Sequence, residues 1–222
     1  MKIVTAGDSF TYGEELADLQ EAWPHVLGQK INAEVVNLGQ PACSNDKMSR
    51  LIFEYLIEFN NAKPDLVIIG WTSPGRMEFA DEIGSYDVWP GYGGNLFTRD
   101  GCSWRQELAN YVSQYHNSTY LYKKFLQQVI MMQSFLNSQN VKYVMLNTLQ
   151  NEYYKHLPIN NPDRSNYFKE IDKTCFMEFN KSGMIEWAEG CKKGPNGHFL
   201  EKGHQIVADR IYEHIRNLSW IS

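Results

Sequence analysis

Alternation is the feature that most limits what this chain can fold into. Short apolar runs rich in β-branched residues, at Lys2–Ala6, Val35–Leu38, Leu66–Ile69 and Tyr143–Leu146, are separated by longer stretches with helical periodicity. Each run is too short and too β-branched to favour a buried helix. Between them, Glu15–Lys30 and Asn45–Asn61 are expected to be helical. In the second, Met48, Leu51, Ile52, Tyr55, Leu56 and Phe59 recur at three- and four-residue steps. Further helices are expected at about Tyr120–Gln139 and Leu200–Leu218. Strands alternating with helices pair in parallel through right-handed crossovers. The pattern therefore predicts a three-layer α/β/α sandwich around a central, mostly parallel sheet. A length of 222 residues suits one large domain, 1–222, better than two small ones.

The alternation fails at about 77–103, rich in Gly, Tyr and Trp, and at about 150–173, which carries Pro158 and Pro162. Structureless loops longer than about 12–15 residues are usually functional or mobile. Both stretches are expected to be surface insertions. Aromatic faces stack on sugar rings and fill apolar pockets, so Tyr86–Phe97 is a candidate carbohydrate or acyl contact, against plain packing of an insertion.

Composition removes several function classes. With 21 Lys+Arg against 26 Asp+Glu the net charge is −5, which argues against a nucleic-acid binder that tracks phosphates. No apolar run approaches the roughly 20 residues of a membrane-spanning helix. The start, Met1 to Asp8, reads as a strand and not a signal peptide, so a cytoplasmic location is expected. Cys43, Cys102, Cys175 and Cys191 form no C-x-x-C pair, and reduced thiols are the simpler reading. No Cys/His cluster has zinc spacing, so no metal is expected. Gly7-Asp8-Ser9 is not a P-loop, and no G-x-G-x-x-G follows a strand, so a nucleotide cofactor is not expected either.

Two motifs remain that could carry chemistry. Gly7-Asp8-Ser9 directly follows the first strand, and in an open parallel sheet ligands bind outside the carboxyl ends of strands. A turn there can expose the Ser9 hydroxyl and aim backbone N–H groups at an anion. Helix capping by Asp8 or Ser9 is the plainer alternative. Near the other end, His198 lies in a glycine-rich loop before the last helix, and His204 follows six residues later. A serine hydroxyl needs a base within hydrogen-bond reach, and neutral histidine suits that role. His204 reads as a structural residue of the helix.

Together these ends resemble the SGNH hydrolase superfamily, the GDSL-type esterases and lipases. The opening GDSFTYGEEL and the aromatic loop also resemble SGNH-type proteins encoded by bacteriophages. The resemblance implies a flavodoxin-like sheet and hydrolysis of carboxylic esters without metal or organic cofactor. The ester would be a small molecule or an O-acetyl group on carbohydrate. Ser9 would be the nucleophile, His198 the general base, and the Ser9 and Ala42 N–H groups, helped by Thr72, the oxyanion hole. Ala42 stands at the family's glycine, with Gly39 three residues early, and retains its N–H provided the turn does not demand positive φ.

Two further positions depart from the family pattern. Thr72 stands where an asparagine amide normally completes the oxyanion hole, and Asn45 or Arg76 are candidate substitutes. Pro195 stands where an aspartate normally orients the histidine. Asn196, a backbone carbonyl, Glu178 or Glu189 are candidate replacements. These departures leave a second reading open: a catalytically silent SGNH-fold module that binds glycans or belongs to a phage particle.

Overall fold

A computed structural model describes residues 1–58, 63–80, 82, 84–88, 108, 110, 114, 117–148 and 162–221. Four parallel strands form the central sheet in the order β2-β1-β3-β6: β1 (Lys2–Gly7), β2 (Glu34–Asn37), β3 (Leu66–Trp71) and β6 (Lys142–Asn147). Each strand lies close to its apolar run in the sequence. The chain departs from β1 to β2 on one side and to β3 on the other, which makes the carboxyl end of β1 the switch point where such sheets bind ligands.

Alternating side chains of the strands feed two cores. Val4, Ala6, Val67, Ile69, Tyr143 and Met145 face α3 (Asn45–Phe53) and α4 (Ser118–Ser138), with Met48, Ile52, Phe125 and Val129 packed on them. Ile3, Leu66, Ile68, Val144 and Leu146 face α2 (Trp23–Lys30), the short α6 (Met184–Trp187) and α7 (Glu201–Asn217), against Leu27, Met184, Val207, Ile211 and Ile215. Strands buried on both faces are apolar at most positions, which is why these runs do not alternate with polar residues; the buried Thr5 is accommodated by donating to Asn37 Oδ1 at 3.0 Å. No helix among the described residues is long and apolar enough to cross a membrane.

Three elements differ from the sequence expectation. The helix expected from Glu15 begins only at Trp23. A short α1 (Ser9–Tyr12) ends at Gly13, whose φ of 93° closes the helix, and Asp18 caps a separate turn at Leu19–Glu21. Pro24 lacks an N–H and fits only the first turn, so it marks where α2 starts. Within 77–103, residues Met77–Ala80 (β4) and Ser85–Val88 (β5) form an antiparallel hairpin. Its acids hold it to α3: Glu78 accepts from Arg50, and Asp87 accepts from the Ser44 N–H at 2.8 Å. Within 150–173, Pro162–Glu170 is a helix (α5) with proline at its first position. The aromatic run from Trp89 to Phe97, Cys102, and residues 149–161 lie outside the described residues.

Candidate active site

The site is assembled at the carboxyl end of β1. Asp8 caps α1 by accepting the Phe10 N–H at 3.2 Å, which places Ser9 at the first helical position. The N–H of a first helical residue has no partner within its own helix. Ser9 is almost buried, with its Oγ 2.8 Å from His198 Nε2.

The opposite ring nitrogen, His198 Nδ1, lies 2.9 Å from Glu15 Oε2. A carboxylate only accepts, so Nδ1 carries the proton and Nε2 is left to accept from Ser9. Glu15 also accepts the Asn196 N–H at 2.7 Å and the His198 N–H at 3.1 Å. Burial alone would push the Glu15 carboxyl up. The Asn196 N–H, the His198 ring and the His198 N–H more than offset this, and the net shift is below the usual carboxylate range. Phe10 packs against the His198 ring, 4.7 Å between centroids and tilted by 53°.

Local backbone geometry explains why Glu15 reaches. After Gly13 ends α1, Glu15 itself takes a left-handed φ of 72°, and its carboxylate meets His198 and the Asn196 N–H. Non-glycine residues adopt this conformation at a cost of about 1–3 kcal/mol, and such strain clusters at functional sites. Gly194 makes the room: a Cβ there would stand 2.6 Å from the Glu15 carboxyl carbon.

The other expected residues fall in three groups. Ala42 follows β2 in a turn at φ 61°, so the turn does demand positive φ and alanine adopts it. Gly39 donates its N–H to Asn37 Oδ1 at 2.9 Å and is committed there. Relief of the left-handed conformation is worth about 1–2 kcal/mol. Added freedom of the unfolded chain costs about 0.5–1 kcal/mol. Ala42→Gly is therefore expected to raise Tm by about 1–4 °C. An unchanged or lower Tm in a thermal melt would show that the turn stores no strain.

Thr72 does not present its hydroxyl as a replacement for the missing amide. Its Oγ1 donates to Asp8 Oδ2 at 2.7 Å, and the Arg76 guanidinium lies on the same oxygen at 3.2 Å. Asn45 does not reach Ser9 either, because both ends of its amide clamp the Thr72 backbone, at 2.9 and 3.1 Å. Arg76 also donates toward the Cys43 carbonyl at 3.5 Å, so it joins the residue before Ser9 to the residue after Ala42. These groups build the floor of the site.

Of the candidate orienters, Asn196 contributes its backbone N–H to Glu15, not its side chain to His198. Glu178 is engaged by Ser182, Trp187 and Arg210. Glu189 is exposed and pairs with nothing at the site. Glu15 was hidden from the sequence reading inside an expected helix. The one available signal was Pro24, which moves that helix start downstream.

His204 is fully buried, and its Nδ1 accepts the Trp23 N–H at 3.1 Å. Burial, aided by nearby His198, lowers its pKa to about 3, far below the ordinary 6.5. Between those values the unfolded chain binds a proton that the folded chain does not. Stability from this group is complete above pH 6.5 and falls on acidification by up to about 1.4 kcal/mol per pH unit. His204→Asn keeps an acceptor at the Nδ1 position for Trp23 but cannot titrate, so its stability should fall less between about pH 6.5 and 4.5. Urea unfolding of both proteins across that range gives the comparison, and equal acid slopes would remove His204 from the account.

A further concavity of about 890 Å³ opens at the amino ends of β3 and β6, lined by Asp65, Lys142, Tyr143 and Asp172 among others. It lies at the opposite end of the strands from Ser9.

Solved structures share this architecture. A psychrotrophic esterase, EstA, from Pseudoalteromonas superposes with a TM-score of 0.55 at 14% identity, covering 98% of this chain and 97% of that one. A protein described as lipolytic and of the G-D-S-L family, from Desulfitobacterium hafniense, gives 0.53 at 17% identity, covering 96% and 98%. An acetyl xylan esterase from Butyrivibrio proteoclasticus gives 0.51 at 14% identity, covering 99% of this chain and 65% of that one. The class is therefore clear: this chain has the SGNH fold, that of the GDSL-type esterases. Within that class it belongs to DUF6071, a family of unknown function whose sequence model matches residues 11–222. The match spans Glu15, Thr72 and His198 and begins just after Ser9. No curated protein matches the sequence.

Proposed function

We propose that this protein is a serine ester hydrolase working through a Ser9–His198–Glu15 relay. The observation that carries the reading is the unbroken hydrogen-bond line, 2.8 Å from Ser9 Oγ to His198 Nε2 and 2.9 Å from His198 Nδ1 to Glu15. Ser9 Oγ attacks the ester carbonyl while Nε2 takes its proton, and Glu15 stabilises the imidazolium that forms. The N–H groups of Ser9 and Ala42 hold the oxyanion. Collapse of the tetrahedral intermediate breaks the C–O bond, and the departing alcohol takes the proton back from Nε2. Water, deprotonated by the same nitrogen, then attacks the acyl-enzyme, releases the carboxylic acid and restores Ser9.

Acetyl esters of carbohydrate are the favoured substrates. Among proteins with this fold are an acetyl xylan esterase and an esterase active on acetylated mannans, which supports that choice. The test is labelling with a fluorophosphonate followed by peptide mass spectrometry. An adduct on Ser9 that is lost in His198→Ala is expected. A folded protein that never reacts would return the chain to the silent-module reading.

A further inference from the structure

The turn that places Glu15 on one nitrogen of His198 places its neighbour beside the other. Glu14 Oε2 lies 3.7 Å from His198 Nε2, and its side chain is 29% exposed. The Glu14 N–H donates to the Ser9 carbonyl at 3.0 Å, so its backbone is tied to the helix that bears the nucleophile. Two consecutive carboxylates thus meet opposite nitrogens of one imidazole. Glu15 is enclosed and committed to orientation. Glu14 faces solvent on the side where the ring exchanges its proton.

We propose that Glu14 is the specificity residue for the leaving alcohol, favouring alcohols that carry positive charge or hydrogen-bond donors and rejecting anionic ones. The inference rests on the esterase reading. In the expulsion step the alcohol oxygen takes its proton from His198 Nε2, and so must come within about 3 Å of that atom. A carboxylate oxygen 3.7 Å from the same atom is then a neighbour of that oxygen's substituents. A sugar presents hydroxyl donors there, and a cationic alcohol presents an attractive charge. An anionic alcohol meets a like charge, which an interface penalises more reliably than it rewards the opposite one.

The test uses a pair of phenyl acetates of matched shape, one with a meta-trimethylammonium and one with a meta-carboxylate leaving group, plus neutral phenyl acetate. Rates of kcat/KM are divided by those for hydroxide-catalysed hydrolysis to remove intrinsic reactivity. Wild type should prefer the cation over the anion by about tenfold at low salt, less at high salt. Glu14→Gln should bring the ratio close to one, and Glu14→Lys should invert it. Glu213→Gln, which removes an acid paired with Arg216 near the far end of α7, controls for overall charge and should leave the ratio unchanged. If neutral phenyl acetate is cleaved but the ratio is near one, or survives Glu14→Gln, the role of Glu14 is overturned and the esterase reading stands. If wild type cleaves none of the three, both fall together.

Discussion

Glu15→Gln is expected to lower kcat on a chromogenic ester by about 10³–10⁴-fold while the fold stays intact, by analogy with amide replacement of the acid in other serine hydrolases. The Asn196 N–H is on Glu15 Oε1, while the His198 N–H and Nδ1 share Oε2, so a glutamine keeps the Asn196 bond through its carbonyl oxygen and presents its amide nitrogen to His198. Its amide NH2 is a donor, however, and turned to His198 Nδ1 it stabilises the tautomer with the proton on Nε2. That nitrogen then faces Ser9 with a donor and has no lone pair for the serine proton. Glu178→Gln and Glu189→Gln should leave the rate where it was, because neither acid touches the ring. Circular dichroism and kcat/KM on the three variants check this, and a Glu15→Gln rate within about tenfold of wild type would remove Glu15 from the relay.

Ser9→Ala and His198→Ala should each remove about 10⁴–10⁶ of kcat, and the double variant should be no worse than either alone. The reason is mechanical. Without Ser9 the imidazole has no proton to accept, and without His198 the hydroxyl has no base, so either loss disables the same step. What residual rate remains belongs to the backbone N–H groups and to substrate binding. Single-turnover kinetics on the three variants measures the coupling. Losses that multiply in the double variant would mean that the residues act independently, contrary to the 2.8 Å contact between them.

Both predictions concern residues that differ in how visible they were. Ser9 stands directly after the first apolar run, and His198 directly before the last amphipathic helix. Each is marked by what the neighbouring sequence must form. Glu15 carries no such mark. Its apolar neighbours fit a helix, and its partner is 183 residues away. Thr72 was legible as a substituted position, but not as the donor that completes Asp8, because that bond joins two different strand ends. Ala42 was legible as a position in the turn after the second strand, with the sign of its φ left open.

What local sequence by itself determined is the order and type of most elements. Continuous apolar strands sort their alternate residues to two cores, and the helical periods supply one apolar face to each. That information is local, since burial demands apolarity residue by residue. What only the tertiary structure decided is which acid meets His198. The answer depends on a left-handed backbone at Glu15, on a glycine at 194 that leaves space, and on two chain ends brought together by the parallel sheet. A turn's handedness and a contact between distant segments are set by the packing of the whole molecule, and no periodicity in the chain records them.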